Sequence, residues 1–178
     1  MARSGEMRMH RLTNFIIVSS LVAAILTSAA VLTPVSAQEP PTSERQAVLA
    51  VVQTFFDAMA PQDVATATRV LVPEGRFFAL GEQEGKPTVR SFTNAEYLKG
   101  LAERKQKVRE RMWNSEVRIR GRIASVWTPY DFWRDRKFSH CGIDAFDLIR
   151  TDDQWRIAGG TYTVERNCEP SPLGPLKQ

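Results

Sequence analysis

Residues 121–168 read GRIASVWTPYDFWRDRKFSHCGIDAFDLIRTDDQWRIAGGTYTVERNC. Apolar and polar side chains alternate through this stretch, the period of a half-buried strand. The alternation reaches back to Val108, so four strands are expected, at Val108–Arg120, Ile123–Arg134, Lys137–Arg150 and Gln154–Arg166. Gly121-Arg122, Asp135-Arg136 and Asp152-Asp153 have the chemistry of the tight turns between them. A meander of consecutive antiparallel strands follows.

Parity then sorts the side chains. Val117 and Ile119 share a face with Ala124, Val126, Thr128, Tyr130 and Phe132 across the first turn. Phe146, Leu148, Trp155 and Ile157 agree across the last. A strict two-residue turn at Asp135-Arg136 would put the two sets on opposite faces, because a one-residue slip inverts every side chain. A bulge or odd-length turn near 135–140 is therefore expected. It turns His140, Gly142 and Asp144 inward with Phe146, and Cys141, Trp127 and Trp133 outward.

N-terminal to the meander the period is helical. Ser43 and Gln46 have capping-box spacing, and Val48, Val51, Val52, Phe55, Phe56 and Met59 form one apolar stripe. Pro61 ends that helix, and Asp63 can cap a second one carrying Val64, Ala67, Val70 and Leu71. Pro73-Glu74-Gly75 reads as a turn, followed by short strands at Arg76–Leu80 and Thr88–Phe92. Thr93 and Glu96 open a third helix, from Asn94 to about Lys105. Helices followed by an antiparallel meander make an α+β domain.

The chain has 178 residues. Residues 1–37 have the form of a secretory signal: Arg3, Arg8 and Arg11, an apolar run from Phe15 to Leu32, and small residues at Val35-Ser36-Ala37. The run is also near the length of a membrane anchor, so cleavage and retention both stay open, with secretion or export to a periplasm the expectation. Residues 38–42 form a short linker, 43–168 the domain and 169–178 a flexible tail. After residue 37 the charge falls to 21 basic against 19 acidic residues, which gives no footprint for nucleic acid. An oxidising compartment makes Cys141 and Cys168 a candidate disulfide. Alternation alone places Cys141 opposite Val164, so bonding would need a bulge near Gly159-Gly160 or a tail that curls back.

The early segment VVQTFFDAMAPQDVATATRVLVPEGRFF and the late segment beginning at Gly121 together resemble the nuclear transport factor 2-like superfamily, in its secreted lumazine-binding-like or SnoaL-like branch. The resemblance implies a cone, with three N-terminal helices packed in a curved antiparallel sheet and a pocket inside its mouth. It also favours the Cys141–Cys168 bond. Phe56, Phe78, Tyr97, Trp113 and Tyr130 would then lie near the mouth, suited to a flat, largely apolar ligand that His140 and Asp144 orient. Ketosteroid isomerase-type members carry a base where this chain aligns Ala79 and an oxyanion tyrosine where it has Phe55 and Phe56, so that machinery is not visible.

His140 is the only imidazole after the leader and could exchange a proton with a pocket ligand. Asp144, four residues along the strand, lies about 13 Å away at strand rise, so the two would serve one ligand from different heights. The bland alternative is a hydrogen-bonded core histidine, with Asp144 paired to an arginine or a backbone amide. The basic run Arg104–Arg111 reads as a solvated face. Two cysteines and one remaining histidine are too few soft ligands for a metal, and no cofactor is implied. Three functions remain: a carrier of a small apolar or aromatic molecule, a SnoaL-like isomerase, cyclase or dehydratase using His140 and Asp144, and a dimerising module using Trp127 and Trp133. No membrane contact is expected once the leader is removed.

Overall fold

A computed structural model describes residues 41–169 and 171–176; the leader and most of the expected linker fall outside them. The elements in order are α1 (Thr42–Met59), α2 (Val64–Val70), β1 (Leu71–Gln83), β2 (Lys86–Thr93), α3 (Asn94–Glu103), β3 (Val108–Met112), β4 (Glu116–Arg120), β5 (Ile123–Arg134), β6 (Lys137–Thr151) and β7 (Gln154–Thr163). The strands form one sheet in the order β2-β1-β7-β6-β5-β3, with β4 also on β5. Not all of it is antiparallel. β1 lies parallel to β7, which joins the N-terminal hairpin to the last strand of the meander.

Local chemistry explains the helix ends. Asp63 caps α2 by accepting from the Thr66 amide at 2.9 Å, and Thr93 with Glu96 forms a complete capping box on α3. The expected box at Ser43 and Gln46 is not formed. The N-cap is Pro41, whose carbonyl accepts from the amides of Glu44 and Arg45, so Ser43 already lies inside the first turn, past the position from which a hydroxyl caps.

Three strand expectations are revised. Pro73–Gly75 is part of β1, whose register against β7 shifts between Leu71 and Arg76. Gly75 is there for a close approach: a Cβ would lie 1.9 Å from the Ala158 carbonyl oxygen. The strand expected over Val108–Arg120 is two strands. Its ladder with β5 stops at Met112–Tyr130 and resumes at Glu116–Trp127. Between them lie left-handed Asn114 (φ 48°) and, on β5, Pro129, which has no N–H to give a ladder. Third, β1 and β2 outrun the short strands expected there, because their turn is the left-handed pair Glu84-Gly85.

The inferred bulge is present. Phe132 pairs with His140 but Trp133 pairs with Phe138, so Ser139 is the extra residue. It merges the two apolar sets into one face, and His140, Gly142, Asp144 and Phe146 are all buried. That face packs on α1 through Val48, Val52, Phe55, Phe56 and Met59.

A second bulge closes the disulfide. Asp147 pairs with Gly159 and Leu148 with Ile157, leaving Ala158 as an extra residue. Cys141 therefore meets Glu165 rather than Val164, and Cys168 comes within 6.2 Å, Cα to Cα, in a Cys141–Cys168 bond. This is within the reach of a disulfide. On the same outer face Arg111 donates to the Gly174 carbonyl at 2.7 Å, a second tie on the tail. Trp127 is 55% exposed; Trp133 is half-buried between Arg111 and Phe138.

Candidate functional site

The strand register arranges the inward side chains in rows. One row runs Val126, Phe146, Gly160, Phe77 and Phe92 from β5 to β2. The next runs Thr128, Asp144, Tyr162, Ala79 and Arg90 through the same strands. Further along β6, His140 faces Phe132, which faces Glu110 on β3. Phe55, Phe56 and Met59 of α1 and Tyr97 of α3 cover this hollow, and a cavity of about 400 Å³ remains. Its wall is rich in rings: Phe55 lies 5.0 Å from Tyr97 and 5.9 Å from Phe77, and Phe132 stacks on His140 at 4.7 Å.

Gly142 shapes one side. A Cβ there would lie 2.3 Å from the Thr163 carbonyl oxygen. Its absence lets the end of β7 close in, and the Tyr130 hydroxyl donates to that same oxygen at 2.6 Å.

The cavity also holds a polar cluster. The carboxyl groups of Glu110 and Asp144 meet here, and their closeness favours the protonated form. Burial pushes the Glu110 carboxyl up to about 8. Asp144 is raised well above the usual carboxylate range by burial and then by the Glu110 charge. One Asp144 oxygen, Oδ2, is buried with no N–H or O–H donor on it, and Arg104 lies against the Tyr97 hydroxyl. All three residues line the same space. Burial also raises the phenols of Tyr97 and Tyr162. The arrangement offers a ligand both acceptors and donors within an apolar enclosure.

His140 is buried, its Nδ1 3.0 Å from the Ser139 hydroxyl. Burial, then the charges of Arg134 and Arg166, lowers its pKa to about 4. The surroundings thus favour the neutral ring.

Of the expected pocket residues, Phe56, Tyr97, Tyr130, His140 and Asp144 lie on the cavity wall. Phe78 and Trp113 do not. Phe77 and Phe78 are adjacent on β1, so one must face out; Phe77 is 4% exposed and Phe78 41%. Trp113 falls in the break between β3 and β4, where its amide donates to Pro129. Ala79 faces inward in the row of Asp144, but the carboxyl groups come from β3 and β6. Glu110, Arg104 and Tyr162 escaped the sequence reading. The signal for Glu110 was its parity with Val108 and Met112, masked by the basic residues around it. Among the described residues no group of three or more His, Cys, Asp or Glu side chains is placed to hold a metal ion.

The family described as "Putative lumazine-binding" matches residues 43–163, and the chain belongs to that family, within the nuclear transport factor 2-like superfamily. No functionally curated protein matches it. Three similar solved structures show the shared fold. One is a putative dehydratase of the same superfamily from Streptomyces avermitilis, 16% identical over 72% of this chain and 100% of that one, TM-score 0.57. A second is the beta subunit of a putative aromatic-ring-hydroxylating dioxygenase from Novosphingobium aromaticivorans, 11% identical over 75% and 97%, TM-score 0.58. The third is a protein of the superfamily from Cytophaga hutchinsonii, 14% identical over 68% and 98%, TM-score 0.57.

Proposed function

We propose that this is a secreted or periplasmic protein that binds a small, flat, largely apolar or aromatic molecule in the cavity, without chemistry of its own. The observation that carries this is the ring-lined cavity of about 400 Å³, a size and lining typical of small-molecule sites. The disulfide fits an oxidising compartment. Thermal-shift screening of the full chain against hydrophobic metabolites tests the reading. Ligands that raise the midpoint are expected to lose that effect in His140→Ala, which removes one wall; undiminished shifts would place the binding elsewhere.

A second reading, acid–base turnover of the isomerase, cyclase or dehydratase kind, draws support from the buried Glu110–Asp144 carboxyl pair. It keeps Asp144 and brings in Glu110 where the sequence offered His140. A buried carboxyl pair that differs in protonation supplies an acid and a base at one pH. On this reading Asp144→Asn lowers turnover of a candidate substrate by about 10²–10⁴-fold; unchanged turnover removes it.

A further inference from the structure

The cavity's charge is one-sided. Four arginines line it, Arg90, Arg104, Arg134 and Arg166, against two carboxyl groups, Glu110 and Asp144. The ion pairs among the described residues, Arg111–Asp131 and Arg150–Glu44, involve none of the four. Arg90, Arg134 and Arg166 are exposed while still lining the cavity, so they stand at its open edge, whereas Arg104 is half-buried beside Tyr97. Arg134 and Arg166 both act on the His140 ring, and the Arg134 guanidinium sits 5.7 Å from the centre of the Phe132 ring that stacks on it. Two cations thus converge where the aromatic wall meets solvent. The acids next to them in sequence, Asp135 and Glu165, are not on the wall; Asp135 accepts from the Lys107 amide at 3.0 Å and Glu165 from the Thr163 hydroxyl.

We infer that the occupant of this cavity is anionic: an aromatic or apolar body seated among the rings, with a carboxylate, sulfonate or phosphate held at the mouth by Arg134 and Arg166. Guanidinium groups suit such anions because they offer paired donors in a plane. Low-dielectric walls strengthen the attraction over what open solvent would allow. This rests on the small-molecule reading above and narrows it to one ligand class.

Two fluorescent probes with the same aromatic body separate the claims. 1-Anilinonaphthalene-8-sulfonate carries an anion, and N-phenyl-1-naphthylamine carries none. With the full chain, the sulfonate is expected to bind at one site and at least about tenfold more tightly. Salt should weaken the sulfonate alone, since a charge at a partly exposed mouth is screened. In the double variant Arg134→Gln/Arg166→Gln the advantage should vanish while the neutral probe binds as before, which also reports an intact cavity. Equal affinities, or an advantage indifferent to salt, overturn the anion claim and leave the small-molecule reading standing. Failure of both probes to bind overturns both. Should the double variant not fold, the salt series on the unaltered chain decides alone.

Discussion

Asp131 on β5 and Asp144 on β6 are both nearly inaccessible, 1% and 4% exposed, yet the two faces of the sheet treat them in opposite ways. On the outer face Arg111 lies directly across the ladder from Asp131 and grips it with both ends of its fork, Nε to Oδ1 at 2.9 Å and Nη2 to Oδ2. The same guanidinium reaches Gly174 and the Trp133 ring. On the inner face Asp144 has no cation bonded to it; its carboxyl neighbour is Glu110, and Oδ2 is buried with no N–H or O–H donor on it. An unsatisfied buried polar group costs about 1–3 kcal/mol. A ligand donor would recover that cost, whereas both Asp131 oxygens are already bonded to Arg111. Equal burial therefore marks two different roles, closure outside and reception inside.

The sharpest way to break this comparison is to remove each charge in turn. Asp131→Asn should cost about 3–5 kcal/mol in urea unfolding at pH 7, because it strands a buried guanidinium. Asp144→Asn should cost less than about 1 kcal/mol or stabilise, since the amide replaces a carboxyl whose charge burial already resists. If the two variants lose the same stability, Asp144 is a structural acid like Asp131 and the inner face is not built for a ligand.

Parity within a strand made much of this legible. The inward set from Val117 to Ile157 and the need for a bulge before His140 both follow from a period of two and a requirement for one core. Local capping at Asp63 and Thr93 was equally readable, because the partners lie within three residues. What stayed hidden depends on contacts between distant segments. The pairing of Glu110 with Asp144 joins β3 to β6 across a hollow, and no local pattern encodes it. Arg111 was read with its basic neighbours as solvated, although it spans to Asp131. Two adjacent phenylalanines at 77 and 78 cannot both face in, and the sequence alone does not say which does. The meeting of Cys141 with Cys168 hinges on a single extra residue, Ala158, that alternation cannot place.

A smaller effect sharpens the contrast through pH. His140 has its pKa depressed from about 6.5 to about 4, so the folded state disfavours the charged ring. Its contribution is full above 6.5 and is lost as pH falls toward 4. Glu110 is raised from about 4.5 to about 8, so its protonated form is favoured by folding. That contribution is full below 4.5 and is lost as pH rises toward 8. Asp144, raised in the same direction, adds its own falling slope, so between 4.5 and 6.5 the rising His140 slope, about 1.4 kcal/mol per pH unit, offsets only part of the carboxyl loss and stability should decline gently. Between 6.5 and 8 only the two carboxyl slopes remain, so the fall should steepen to at least about 2 kcal/mol over that range. In Glu110→Gln/Asp144→Asn that fall should disappear and a rise from pH 4 to 6.5 should emerge, whereas His140→Phe should decline steadily from 4.5 to 8. Denaturant midpoints measured across this range decide it. A double variant that keeps the alkaline fall would mean the proton resides outside the cavity, and the inner face would then be as inert as the outer one.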